Sequence, residues 1–363
     1  VITSECIIIG GGIMGLLSAR ELASHGYKTT VIDSDSPGHQ CSWAGGGILS
    51  PLYPWQMPGA LQALSAWSQR QYPVLVESLR ESTGIDPELW QCGMLIHATD
   101  DLAVAADWAK RKNIIHAVVD EAQVAKIAPA LARQPAPWFW MPELTQVRNP
   151  RLLSALKFSL QKSGVQFFDH TEVRSIVVNQ HQAEGVETSR GPFSAPVIVI
   201  AGGAWTSRLW PAITVRPVRG QMLCYQTERN FLQTMVLKEG KYAVPRRDGL
   251  VLVGSTTEDV GFDAGTSIEA RNLLAAAAAD MLPGINRFPV VGHWSGLRPA
   301  TPSGLPCIGA WPETEGLFLN TGHYRNGVLL APASARLLAD IILQRETPFP
   351  ADAFQPVVNR DTG

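Results

Sequence analysis

A glycine-punctuated turn between a buried strand and a helix constrains this chain more than any other feature. Cys6-Ile-Ile-Ile9 is an uninterrupted apolar run, the pattern of a parallel strand covered on both faces. Gly10-Gly-Gly12-Ile-Met-Gly15 follows at once. Ile13, Leu16, Leu17, Leu22 and Ala23 then recur at helical spacing until His25-Gly26 stops the helix. A second apolar run, Thr29 to Ile32, ends at Asp33. These segments predict a βαβ unit. Gly10 allows the tight turn, Gly12 lets backbone approach a pyrophosphate, and Gly15 lets the helix lie close on the strand. The helix N-terminus adds unpaired N–H groups and roughly half a positive charge. Asp33, 18 residues beyond Gly15, is placed to accept hydrogen bonds from a ribose. The unit predicts a dinucleotide site.

Length and composition narrow the setting. The 363 residues suggest two domains at roughly 150 residues each. Thirty basic against 32 acidic side chains leave a net charge of −2, without the basic excess of a nucleic-acid binder. A hydrophobic content of 45% with 17% charged residues supports sizeable cores and argues against disorder. The five cysteines (Cys6, Cys41, Cys92, Cys224, Cys307) form no Cys-x-x-Cys pair and sit near no histidine at zinc spacing, so no metal is expected. Scattered thiols suit a reducing compartment. No leader pattern precedes the first strand, and the expected location is the cytoplasm. Residues 36–69 carry no charged side chain, yet Pro37, Pro51, Pro54 and Pro58 break the stretch far short of a membrane span. It reads as buried loop.

Further along, Leu61 to Leu79, Ala103 to Lys112, Arg151 to Ser163, Ile268 to Met281 and Leu329 to Leu343 read as helices. Thr171 to Val178, Pro196 to Ile200, Leu250 to Gly254 and Leu317 to Asn320 read as strands. Trp138-Phe-Trp-Met-Pro142 reads as an aromatic loop or strand, its tryptophans more often core than site, with a cavity or a subunit interface as the alternative. After Asp33 comes the uncharged loop from Gly38 to Gly47 rather than a regular βα series. Such a loop suits a large flat isoalloxazine ring, which favours FAD over a nicotinamide dinucleotide.

At this point the chain resembles the FAD-dependent D-amino-acid oxidase superfamily, and within it the bacterial glycine oxidases of thiazole (thiamine) biosynthesis. The motifs that carry the resemblance are Ser42-Trp-Ala-Gly-Gly-Gly47, Tyr242-Ala-Val-Pro-Arg246 followed by Gly254, Gly296-Leu-Arg-Pro299 and Gly322-His-Tyr-Arg-Asn-Gly327. The resemblance implies that Ile13 and Met14 line the pyrophosphate and that Asp33 and Ser34 hold the adenosine ribose. Gln40, Cys41, Gly45, Gly46 and Gly47 would wrap the ribityl chain and flavin, and Val173 would meet the adenine. His323, Tyr324, Arg325, Asn326, Gly327, Val328 and Leu329 would enclose the pyrimidine end. Tyr242, Arg298 and Arg325 would face the substrate. The family's covalent flavin attachment uses an earlier position than Cys307, so non-covalent FAD is expected. Asp33 replaces the glutamate common in the family, and Thr257 with Gly47-Ile-Leu replaces bulkier methionines, which bears on pocket volume.

The chemistry agrees with those roles. A substrate carboxylate needs a fixed cation, and a planar guanidinium matches it with two parallel hydrogen bonds. Arg298, in an apolar Trp-Ser-Gly-Leu setting, is the first choice; a structural arginine bonded to loop carbonyls is the alternative. Arg325 is a second cation that orients either flavin or substrate, and the Tyr242 hydroxyl is a donor to the carboxylate. No general base is required if the amine binds neutral. His323 is expected to contribute backbone, not acid or base.

The expectation is therefore an α/β protein with an FAD-binding Rossmann-like domain and an interleaved substrate domain on a mixed, largely antiparallel sheet. The first would take residues 1–80, 147–215 and 296–363, the second 81–146 and 216–295. The expected activity is oxidative deamination of glycine, other small amines or D-amino acids, with dioxygen as acceptor. A D-amino-acid dehydrogenase using a quinone, and a non-catalytic FAD-binding subunit, are the rivals. No nucleic-acid or integral-membrane partner is expected, and a homo-oligomer is left open.

Overall fold

In a computed structural model, which describes residues 2–97, 100–131 and 137–358, the predicted βαβ unit sits at the centre of a six-stranded sheet. The strand order is 307–310, 317–321, 197–200, 6–9, 29–32 and 166–168, and only the Cys307–Ala310 edge strand runs antiparallel. Strand Cys6–Ile9 is apolar throughout because both of its faces are covered. Cys6 and Ile8 belong to the core beneath the helices, whereas Ile7 and Ile9 face the opposite layer. On the helical side lie Ile13–Ser24, Gly59–Thr83, Asn149–Lys162 and Gly327–Ile342, all contributing to one core. On the other side lies a four-stranded sheet of residues 2–3, 191–194, 182–188 and 173–179.

A second, eight-stranded sheet is largely antiparallel, in the order 290–300, 216–226, 250–254, 241–245, 235–238, 94–96, 138–141 and 117–119. Its one parallel pair joins Met235–Lys238 to Met94–Ile96. Helix Ile268–Met281 covers one of its faces. The chain passes between the two sheets several times, so the interleaving expected from the missing linkers is present. None of the described helices is long and apolar enough to cross a membrane.

One local reading needs correction. The charge-free stretch is not all buried loop: residues 59–69 open the helix Gly59–Thr83, Cys41–Ala44 makes one helical turn, and Trp43 is exposed. Proline breaks a membrane span but is tolerated at a helix start, where its missing N–H has no partner to lose. Trp138 and Trp140 lie on strand Trp138–Met141 and pack into the core of the eight-stranded sheet, Trp138 fully buried. The last residues of the expected FAD domain, 359–363, lie outside the described residues.

Candidate active site

The parallel strands end together. Gly10 follows Ile9, Asp33 follows Ile32, Ala201 follows Ile200 and Gly322 follows Thr321. The crevice outside the carboxyl ends of parallel strands is where open α/β sheets bind ligands. A cavity of about 560 Å³ opens there and extends to the eight-stranded sheet. That volume lies within the roughly 300–1,000 Å³ usual for ligand and cofactor sites. Every residue assigned above to cofactor or substrate lines this cavity except Gly15. Gly15 works one step behind it, since an added Cβ would overlap the Gly10 carbonyl oxygen.

At the strand end, Asp33 uses its carboxylate locally. Oδ2 accepts the Gly11 N–H at 2.5 Å and Oδ1 the Asp35 N–H at 2.8 Å. A carboxylate has about four acceptor sites, which leaves two for a ribose diol. Burial pushes this carboxyl up, and the two N–H bonds pull it partly back. The first helix begins at Ile13 with Gly12 as its cap. The Ser42 hydroxyl accepts the Ile13 N–H at 3.0 Å, while the Met14 N–H has no acceptor among the described residues. Ser42 opens the Ser42–Gly47 motif and lines the cavity, yet nothing in its sequence context marks its hydroxyl as the acceptor for the Ile13 N–H.

The far end of the cavity is cationic. Arg298 on strand Val290–Ala300 donates to the Ser255 hydroxyl at 2.8 Å and to the Thr256 and Arg219 carbonyls at 3.1 and 3.4 Å. Its surroundings are thus polar rather than apolar, because the strand brings it beside residues 255–256, which the sequence keeps forty positions away. Gly220 makes room for it: a Cβ there would overlap the guanidinium. Among the described residues no carboxylate pairs with Arg298 or Arg325. Arg325 is exposed and donates to the Thr257 hydroxyl. The Lys241 ammonium is pushed down by burial and then by the nearby Arg325 and Arg298 charges. Tyr242 is buried, its hydroxyl 3.3 Å from Met222 Sδ and its ring against Gly46. Ser255 and Met222 also line the cavity and carried no sequence signal beyond adjacency to Gly254 and a strand.

His323 is buried, with Nε2 2.9 Å from the Ser334 hydroxyl and no partner at Nδ1 among the described residues. Burial pushes its pKa down to about 3, which keeps it neutral and bars an acid role. The unfolded chain binds that proton near 6.5, so stability present above pH 6.5 is lost as pH falls toward 3. Between pH 7 and 5.5 urea unfolding should show the parent losing roughly 1 kcal/mol more than His323→Gln. Equal losses in the two proteins would show that His323 is not held neutral.

Parallel strands converging on a glycine turn, with a cavity closed by a second sheet, define a dinucleotide-binding α/β protein. The chain belongs to the FAD dependent oxidoreductase (DAO) family, whose model matches residues 5–341. It is 43% identical to the glycine oxidase of Pseudomonas aeruginosa over 95% of this chain and 96% of that one. It is 33% identical to the bifunctional protein ThiO/ThiG of Trichormus variabilis, over 95% of this chain and 53% of that protein. The crystal structure of glycine oxidase from Geobacillus kaustophilus superposes with a TM-score of 0.94 at 32% identity, covering all of both chains. The resemblance read from the motifs is borne out.

The residues present fit FAD. The Met14, Gly46 and Gly47 N–H groups lack acceptors among the described residues, all three residues line the cavity, and Asp33 keeps acceptor capacity beyond its two backbone N–H bonds.

Proposed function

We propose that the chain catalyses the oxidative deamination of glycine and other small amines or D-amino acids, with dioxygen as acceptor. When bound, the flavin supplies the hydride acceptor for the substrate Cα–H, and dioxygen then takes the electron pair to give hydrogen peroxide. Water converts the imine to glyoxylate (or another 2-oxo acid) and ammonia. The observation that carries this reading is Arg298, a cation without a carboxylate partner in the same cavity as the glycine triplet. Its guanidinium receives the substrate carboxylate and Tyr242 borders it, which fixes Cα over the site. Arg325 and Lys241 add positive potential at the mouth, raising the local concentration of an anionic substrate. The apolar walls, Met222 among them, exclude water from the reacting carbon.

The cofactor contacts follow the residues assigned from the sequence. Gly10, Gly12, Ile13 and Met14 hold the pyrophosphate, Asp33 and Ser34 the ribose, and Val173 the adenine. Gln40, Cys41 and Gly45–Gly47 hold the flavin, with His323–Leu329 at its pyrimidine end. Cys307 is buried on the edge strand and does not line the cavity, which supports non-covalent FAD. Residues 1–80, 147–215 and 296–363 form the FAD domain and 81–146 and 216–295 the substrate domain. A cytoplasmic role supplying iminoglycine to thiazole synthesis is consistent with the likeness to ThiO/ThiG.

The test is an amine panel read by dioxygen uptake. The purified protein should be yellow and release FAD to the supernatant on acid precipitation. Glycine should drive peroxide formation with glyoxylate and ammonia in equal amounts. Reduction of a quinone or dye without dioxygen uptake would establish the dehydrogenase instead, and no bleaching by any amine under anaerobic conditions would establish the non-catalytic subunit.

A further inference from the structure

The motif Tyr242-Ala-Val-Pro-Arg246 contributes a tyrosine to the cavity, and its final arginine remains without a role. Arg246 is buried at 4% exposure and does not line the cavity. Its guanidinium donates to the Gly46 carbonyl at 2.9 Å, to the Val147 carbonyl at 3.0 Å and to Gln146 Oε1. All three acceptors are neutral, so the cation is buried without a hydrogen-bonded anion. Burial lowers its pKa to about 10, which leaves it charged at neutral pH. Asn149, buried at 1% exposure, holds the same loop from the first helical turn of Asn149–Lys162. Its Nδ2 donates to the Ser42 carbonyl at 2.8 Å and the Gly45 carbonyl at 3.1 Å.

The peptide between Gly46 and Gly47 therefore has its carbonyl tied to a cation behind the loop. In a trans peptide the N–H points opposite to the carbonyl. The Gly47 N–H is directed away from Arg246, it finds no acceptor among the described residues, and Gly46 and Gly47 both line the cavity. A carbonyl bonded to a cation polarises its own N–H, which strengthens the donor on the other side. Glu88 and Asp248 act on this guanidinium from a distance, and Arg148 opposes them. With no anion bonded to it, the charge in a low-dielectric interior acts at longer range than one in water.

We propose that Arg246 and Asn149 are positioning residues for the cofactor loop, and that Arg246 also tunes the bound flavin. Asn149 fixes where the loop lies. Arg246 fixes the Gly46–Gly47 peptide, and its charge stabilises the electron-rich reduced flavin over the oxidised form. This inference rests on FAD occupying the cavity and concerns side chains that do not touch it.

The experiment compares Arg246→Met, Arg246→Lys and Asn149→Ala by FAD titration of the apoprotein and by the two-electron midpoint potential of the bound flavin. Thermal unfolding of each apoprotein controls for the fold. Arg246→Met should bind oxidised FAD about tenfold more weakly and lose a further tenfold for reduced FAD. That further tenfold is a fall of about 30 mV in potential for a two-electron couple. Arg246→Lys keeps the charge without the planar fork, so its potential should stay within twofold (in the same affinity ratio) of the parent while binding remains weakened. Asn149→Ala keeps the charge and loses one hold, so FAD binding should weaken about tenfold with the potential unchanged. This variant decides the positioning role even if Arg246→Met does not fold. Binding within twofold of the parent in Asn149→Ala, or an unchanged potential in folded Arg246→Met, would overturn the inference. A parent protein that binds no FAD would instead overturn the cofactor reading beneath it.

Discussion

Arg298→Ala should lower kcat/KM for glycine by roughly 30- to several-thousand-fold. The guanidinium sits half-buried against Ser255 and the Thr256 carbonyl, with no carboxylate to neutralise it. Removing one partner of a desolvated, hydrogen-bonded charge pair costs about 2–5 kcal/mol, and each 1.4 kcal/mol is about one decade. Arg298→Lys should recover only part of the loss, because an ammonium lacks the planar fork. An amine without a carboxylate should lose far less than glycine in the alanine variant. FAD content should stay near the parent's, since none of the Arg298 hydrogen bonds reaches the glycine turns. Glycine turnover within about threefold of the parent, under ~0.7 kcal/mol, would remove the anchor from Arg298 and leave Arg325 to carry it.

Asp33→Ala should yield mainly apoprotein that excess FAD partly restores. Hydrogen bonds to a charged group contribute about 1.5–3 kcal/mol each, so one ribose bond lost weakens FAD binding roughly 10- to 150-fold. The variant also frees the Gly11 and Asp35 N–H groups that the carboxylate now holds. Loosening of the turn therefore adds to the loss of the ribose bond. Asp33→Asn separates the two contributions, because an amide oxygen can keep one N–H bond without the charge. Equilibrium titration of the apoproteins reads both. FAD affinity within threefold of the parent in Asp33→Ala would show that the ribose is held elsewhere.

The contrast between these two residues shows what kind of information the chain carries locally. The place of Asp33 at the cavity is legible because strand, glycine turn, helix and second strand are consecutive, and the constraint on each glycine acts within one turn. The place of Arg298 in the cavity is legible by motif, but its polar surroundings are not. Its neighbours Gly220, Ser255 and Thr256 arrive by strand pairing: Val218 faces Arg298 in the register of strands Arg216–Gln226 and Val290–Ala300. Flanking residues on one strand say nothing about the residues on the next. Ser42 was missed for a related reason, since its hydroxyl serves the Ile13 N–H on a different segment.

By itself the sequence determined the βαβ unit, the glycine turn at its strand end, and the helices over residues 61–79 and Ile268–Met281, because hydrophobic period and glycine sterics are local properties. Only the tertiary structure decided what stands behind the cavity. Arg246 meets a carbonyl 200 positions away, and Asn149 one 104 positions away. A buried cation or amide is stable only where folding supplies acceptors, and all of those acceptors except Gln146 Oε1 are backbone atoms that every residue possesses. No residue type marks them in advance, so the hold on the glycine triplet exists in the packing and not in the motif.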